Sequence, residues 1–106
     1  MYNGIHLYLA ETDTKSRLEW ITTLDRLETL RPKAVVAGHK IPQNDDDPRI
    51  IEETRQYLCD FNRLDATTST ARELYDAMLE IYPDRANPGS LWGGANKAKE
   101  LAQAAK

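Results

Sequence analysis

Two histidines and a run of three aspartates are the residues of this sequence whose types and positions could do chemistry. His39 directly follows the apolar run AVVAG, and His6 lies in the segment NGIH near the amino terminus. Histidine is the most common protein ligand for a metal ion, and a preceding strand fixes the direction of its ring. Asp45 begins the run DDD, whose carboxylates could also ligate a cation. The pattern therefore indicates a metal site around His39, with His6 and Asp45 as further candidates.

A catalytic zinc ion needs about three protein ligands and an open position for water. The sequence offers two histidines and a single cysteine, Cys59, which excludes a thiolate cluster or a disulfide within one chain. Residues 45–47 lack the alternating spacing, the glycine and the final glutamate of a calcium loop, and we expect Asp47 to cap a helix instead. His6 has no nucleophile or carboxylate at a recognisable spacing, which favours a structural or pocket-lining role. The alternative for His39 is an ordinary histidine without a metal.

Two long stretches with an apolar residue at every third or fourth position predict amphipathic helices. The first, TDTKSRLEWITTLDRLETLRP, offers N-caps at 12–14 and should end before Pro32. The second follows Asp47-Pro48, an aspartate cap with a proline at the first helical position. Its apolar positions step four, three, four and three residues along the chain from Ile50. On this second helix we expect Cys59 to be a buried or half-buried thiol.

Two further helices are predicted in the second half of the chain. Thr70 and Glu73 form a capping box that begins one helix, and Pro83 should end it. Asn87-Pro88 is again a cap followed by a proline, and it begins an alanine-rich helix. Gly93-Gly94 lies inside this last helix and should weaken it by about 1 kcal/mol per glycine relative to alanine.

The apolar run at 34–38 is predicted to be a short strand, because small or β-branched residues lie there between a proline and a glycine. Residues 5–9 alternate briefly and could form either a second strand or an irregular segment. A lone strand leaves its backbone groups unpaired, and two-stranded sheets are marginal in water. The strand at 34–38 must therefore pair with 5–9, with another copy of the chain, or with a strand outside this sequence. We predict a mainly helical α+β chain with about four helices.

The composition limits the classes of function. A length of 106 residues suits one domain with a modest core, and 41% hydrophobic with 29% charged residues is typical of a globular protein. The net charge of −3 gives no basic surface for nucleic acid or for an anionic membrane. No apolar run approaches the roughly 20 residues of a membrane helix, and the amino terminus does not resemble a signal peptide. We expect a cytoplasmic protein with no nucleic-acid or membrane partner.

The order YNGIHLYLAET, a helix, KAVVAGHK and then NDDDPRIIEETRQYL resembles the carboxy-terminal part of metallo-β-lactamase-fold hydrolases. The similarity covers nearly the whole chain, since YPDRANPGSLW resembles a helical tail that those proteins carry. A strand followed by Gly-His is weakly specific alone, but it gains specificity from YNGIH upstream and DPR downstream. The resemblance implies that residues 1–106 are a single domain corresponding to the last third of an αββα metallo-β-lactamase fold.

In that family two zinc ions are held by an early H-x-H-x-D-H motif, another histidine, a bridging aspartate and a last histidine. The last histidine matches His39, and the bridging aspartate lies just ahead of the segment that begins here at Tyr2. This sequence contains neither the H-x-H-x-D-H motif nor that aspartate. The resemblance thus implies part of a zinc-dependent hydrolase, which we expect to lack catalysis and stably bound zinc as an isolated chain.

The alternative is a small helical module without an enzymatic role, which associates with itself or binds a partner. If a parent sheet is missing, the helical faces that covered it would be exposed, and large apolar patches drive association. We therefore expect a homo-oligomer or a complex with a missing amino-terminal half.

Overall fold

Four helices make up most of the computed structural model, which describes residues 2–35, 37–41, 44 and 46–104, with the backbone alone at 39, 40 and 102–104. The prediction of a mainly helical chain with four helices is confirmed. No helix among these residues is both long and apolar enough to cross a membrane. The elements, in chain order, are β1 (Tyr2–Asn3), α1 (Thr14–Thr29), β2 (His39–Lys40), α2 (Arg49–Thr67), α3 (Ala71–Ile81) and α4 (Pro88–Ala104).

The helix boundaries follow local capping chemistry. Asp13 caps α1 by accepting a hydrogen bond from the backbone amide of Ser16, and Thr70 caps α3 by accepting one from the amide of Glu73. Arg31, which precedes Pro32, has a φ of 50° and therefore leaves the helical region at the end of α1. The helices begin and end close to the positions that the sequence predicts.

The prediction of a strand at 34–38 is wrong for the described residues of that range. Strand β2 begins one residue later, and it pairs in parallel with β1 so that Tyr2 lies opposite His39. The backbone amide of Val35 donates instead to the carbonyl of Asp46 at 2.7 Å. The amide of Val35 is therefore used in the loop before α2 rather than in a longer ladder.

Residues 5–9 do not form the second strand that the sequence left open. Ile5 makes only an isolated parallel bridge to Ala86. In this bridge the amide of His6 donates to the carbonyl of Ala86 and the amide of Ala86 donates to the carbonyl of Gly4, both at 2.8 Å. A strand on one layer of helices would alternate between buried and exposed residues, but His6, Leu7 and Leu9 are all fully buried. This segment fills a groove between the helices, which makes it part of the core.

Helix α2 is the centre of the core, since it packs against α1, α3, α4 and β1. Its predicted apolar stripe is confirmed, because Ile50, Thr54, Tyr57 and Phe61 are all fully buried. Cys59 lies outside this stripe and is exposed, so the expectation of a buried or half-buried thiol is wrong. Burial of a large apolar side chain contributes about 2 kcal/mol, so this stripe supplies a large part of the stability.

Helix α4 lies against α3 and against the buried segment. A β-carbon built on Gly94 would lie 3.3 Å from the β-carbon of Leu9, whereas one on Gly93 would meet no atom within 4 Å. The second glycine therefore permits close packing of α4 on residues 5–9. This contact holds the second turn of α4 against residues 5–9.

Candidate functional site

The three sequence-predicted site residues are not placed together by the structure. The backbone of His39 lies in β2, whereas its side chain and the whole of Asp45 are outside the described residues. His6 is fully buried on the segment between β1 and α1. The assignment of a metal to His39, with His6 or Asp45 as a second ligand, therefore stays a prediction.

Within the described residues, no group of three histidine, cysteine, aspartate or glutamate side chains is placed to hold a metal ion. Asp47, beside the predicted cation site, has a different role. Its carboxylate accepts a hydrogen bond of 2.9 Å from the amide of Arg49 at the beginning of α2. The N-cap position of α2 is Pro48, which makes no side-chain capping bond, so the prediction that Asp47 is the cap and Pro48 the first helical residue is wrong by one position.

His6 is the centre of the most unusual polar environment in the described structure. Its Nδ1 lies 3.0 Å from the hydroxyl of Tyr57, and the two rings meet edge to face at 5.9 Å between centroids. Its Nε2 is buried and has no hydrogen-bond partner among the described residues. Burial and, to a smaller extent, the positive charge of Arg85 lower the pKa of His6 to about 4. The ring is therefore neutral at physiological pH, with one N–H and one acceptor nitrogen.

Arg85 holds the buried segment from the turn between α3 and α4. Its guanidinium lies over the rings of Tyr57 and Tyr82, at 4.9 and 5.3 Å from their centroids. Its Nη1 also donates a hydrogen bond of 2.8 Å to the carbonyl of Ile5. Burial lowers the pKa of Arg85, and Glu53 partly offsets this effect through its negative charge. Arg85 is thus a half-buried cation that lies over two tyrosine rings and donates a hydrogen bond to the carbonyl of Ile5, the residue before His6.

Tyr82 is oriented by α2. Its hydroxyl donates a hydrogen bond of 2.5 Å to the carboxylate of Asp60, which also accepts hydrogen bonds from Gln56 and Arg63. Its ring lies 4.9 Å from that of Tyr57. Burial raises the pKa of both tyrosines, so both keep their hydroxyl protons throughout the physiological range. The two rings and Arg85 therefore form a fixed wall next to the imidazole.

The sequence patterns do not single out Arg85, which lies in the segment YPDRANPGSLW. Its contact with the carbonyl of Ile5 spans 80 positions of the chain, so no local pattern could predict it. The sequence does indicate a tight turn around Arg85, because Pro83 and Asn87 are turn-forming residues. In the structure Asn87 has a φ of 61° in the connection between α3 and α4. Such a turn indicates a rigid position, but it does not reveal what the arginine touches.

A second buried polar cluster joins α1, α2 and α4. Arg17 is fully buried and donates to Asn62 at 2.5 Å and to Thr12 at 3.0 Å. Asp65 pairs with Arg17 at 3.4 Å and with Lys99 at 3.1 Å. Lys99 also donates to the backbone carbonyls of residues 65 and 68. Because the polar groups of this cluster largely satisfy one another, we interpret it as structural.

Comparison with known proteins found no protein family, no curated protein and no solved structure that matches this chain. The described structure offers a neutral buried histidine, two protonated tyrosines and a half-buried arginine around residues 5–9. This arrangement can hold and orient an acceptor group.

Proposed function

We propose that this chain is the carboxy-terminal part of a metallo-β-lactamase-like, zinc-dependent hydrolase in which His39 is a metal ligand. The observation that supports the proposal best is the parallel pairing of Tyr2 with His39. The resemblance assigns the separate segments YNGIH and GHK to the neighbourhood of one metal centre. The sheet brings the backbones of these segments side by side, as a shared centre requires.

The ligand chemistry supports only part of a zinc site in this sequence. An imidazole at His39 is a suitable zinc ligand, but catalytic zinc needs about three protein ligands. We therefore propose that the other ligands come from a further part of the fold that carries the H-x-H-x-D-H motif. Zinc, when bound, lowers the pKa of a coordinated water to about 7 and supplies a nucleophile for hydrolysis. Of this chain's own residues, His39 would hold the metal, and Asn3 would help to fix its strand through the hydrogen bond from Ile41 to its carbonyl.

The proposal is tested by reading the encoding DNA upstream of Met1 and expressing the longer product. We expect an in-frame H-x-H-x-D-H motif and hydrolysis of an ester or lactone by that product. His39→Ala should reduce this activity at least about 100-fold, because loss of a metal ligand removes the nucleophile. Arg72→Ala, at an exposed position on α3, is the matched control and should leave the activity unchanged. The absence of an in-frame motif would refute the proposal.

Self-association is the second candidate, and the short sheet favours it. Each strand contributes only two residues, and an isolated two-stranded pair of this size is marginal in water. Leu30 and Leu18 are also 75% and 53% exposed. Sedimentation velocity of the purified chain from 1 to 100 µM tests this candidate. The mass of two or more chains would support it, and the mass of one chain at every concentration would exclude it.

A further inference from the structure

A cavity of about 370 Å³ lies where the end of β1 meets the beginning of α2 and the turn after α3. Its volume is in the range of small-molecule sites. Part of the lining is apolar, at Ile81 and Pro83. The lining also carries four charged residues, which are Arg49, Glu53, Asp84 and Arg85. A ligand of this cavity should therefore combine a charged group with a short apolar body.

Arg85 is the cation of this lining that has no ionic partner. A guanidinium has five N–H donors, and the described structure uses one of them, from Nη1 to the carbonyl of Ile5. The rings of Tyr57 and Tyr82 attract the positive charge without neutralising it. No carboxylate of the described residues forms an ion pair with Arg85. The buried donors without a partner in this part of the chain belong to other residues, so solvent reaches the unused N–H groups of Arg85.

The two other arginines that are not exposed are both paired with carboxylates. Arg17 lies 3.4 Å from Asp65, and Arg55 forms ion pairs with three carboxylates from α1 and α2. A cation that is taken partly out of water without a counter-charge is costly, and Arg85 is in that position. An anion in the cavity would supply the missing counter-charge, and it would accept hydrogen bonds from the planar guanidinium.

The other charges of the lining limit how negative this ligand can be. The carboxylate of Glu53 is bonded to Arg49 at 3.1 Å, and its negative charge also acts on Arg85. Asp84 adds a second negative charge beside the cavity. A singly charged ligand is therefore repelled less than a doubly charged one. A carboxylate carries one charge, and its two oxygens match two N–H groups of a guanidinium.

We propose that this cavity binds a small monocarboxylate, with the carboxylate paired to Arg85 and a short apolar body against Ile81 and Pro83. The site uses neither His39 nor a metal, so it is independent of the proposed zinc centre. Loss of the zinc proposal would leave this site unaffected. Likewise, failure of the carboxylate site would leave the zinc proposal standing.

Butyrate is the probe, and the measurement is a titration of the purified chain at pH 7.5, followed by ¹H–¹⁵N spectra of the arginine Nε–H groups. We expect butyrate to bind with a Kd of about 1 mM, as is reasonable for so small a ligand, and to shift the Nε–H resonance of Arg85. The resonance of Arg72, which is exposed on α3, should not move. Butyramide is the matched neutral ligand and should bind at least about tenfold more weakly. Propyl phosphate is mostly doubly charged at this pH and should also bind more weakly than butyrate.

Arg85→Gln retains an N–H donor for the carbonyl of Ile5 but removes the charge, so it should weaken butyrate binding at least about tenfold. Arg72→Gln changes the net charge by the same amount and should leave the binding unchanged. Equal binding of butyramide and butyrate, tighter binding of propyl phosphate, or unchanged butyrate binding to Arg85→Gln would overturn the proposal. If Arg85→Gln does not fold, the titration of the unaltered chain decides, because butyrate that leaves the Arg85 resonance in place refutes the site.

Discussion

Lowering the pH from 7.5 to 5 should destabilise this protein through His6. The native ring has a pKa of about 4, whereas an unfolded histidine has a value near 6.5. Between these values the unfolded chain binds more protons than the native chain, so stability falls as the pH falls. The contribution of His6 is fully present above pH 6.5 and is lost as the pH approaches 4. The groups that face the ring are Tyr57 from α2, which keeps its proton, and Arg85, which keeps its charge.

The magnitude follows from the two pKa values. A difference of about 2.5 between them corresponds to at most about 3 kcal/mol when the whole range is crossed. Between pH 7.5 and 5 the unfolded ring becomes almost fully protonated and the native ring hardly at all, which corresponds to at most about 2 kcal/mol. We therefore expect a loss of about 1–2 kcal/mol in the free energy of unfolding.

Urea unfolding followed by circular dichroism at pH 7.5 and pH 5 measures this loss. His6→Asn cannot titrate in this range, so its loss should be smaller than that of the unaltered chain by about 1–2 kcal/mol. His39→Gln is the matched control, because it removes the only other histidine and should retain the full effect of His6. Equal pH dependence in His6→Asn and the unaltered chain would refute the reasoning from burial.

Three other substitutions test the packing and the buried cluster. Arg17→Met should lower the free energy of unfolding by about 2–4 kcal/mol, because it removes a buried, hydrogen-bonded charge, whereas the exposed Arg72→Met should change it by less than about 0.5 kcal/mol. A change below 1 kcal/mol for Arg17→Met would contradict the structural role of the cluster. Gly93→Ala should stabilise α4 by about 0.5–1 kcal/mol in thermal unfolding, since its side chain meets open space. Gly94→Ala should gain less or destabilise, because its methyl group would press on Leu9, and an equal gain from both substitutions would exclude this contact.

The helices were predictable because their signals are local. The capping residues Asp13 and Thr70 lie within three positions of the amides that they accept, and the apolar stripe of α2 needs only its own periodicity. The strands were not predictable in the same way. Whether the run at 34–38 joins a ladder depends on which acceptor its amides reach, and Val35 reaches Asp46. A pattern of apolar residues shows that a segment is buried, but it does not show what pairs with it.

The candidate site, like the fold, was predictable only where its signal is local in the sequence. His6 could be singled out by its residue type, and its possible pocket-lining role followed from the absence of catalytic partners nearby in the sequence. Its actual neighbours come from 51 and 79 positions away, Tyr57 and Arg85, and they meet only when α2 and the turn before α4 pack on residues 5–9. The pKa of His6 is therefore a property of the tertiary fold. The metal assignment of His39 depends on motif matching alone and requires a direct measurement.

Zinc analysis of the longer protein that the proposed function expects is the measurement that tests the central proposal most directly. The product should contain one or two zinc ions per chain after purification, as the resemblance to metallo-β-lactamase-fold hydrolases implies. His39→Ala should lower that zinc content, whereas His6→Asn should leave it unchanged, because His6 is buried and engaged with Tyr57. Unchanged zinc in His39→Ala, or a folded product that binds no zinc when supplied with it, would contradict the proposed function.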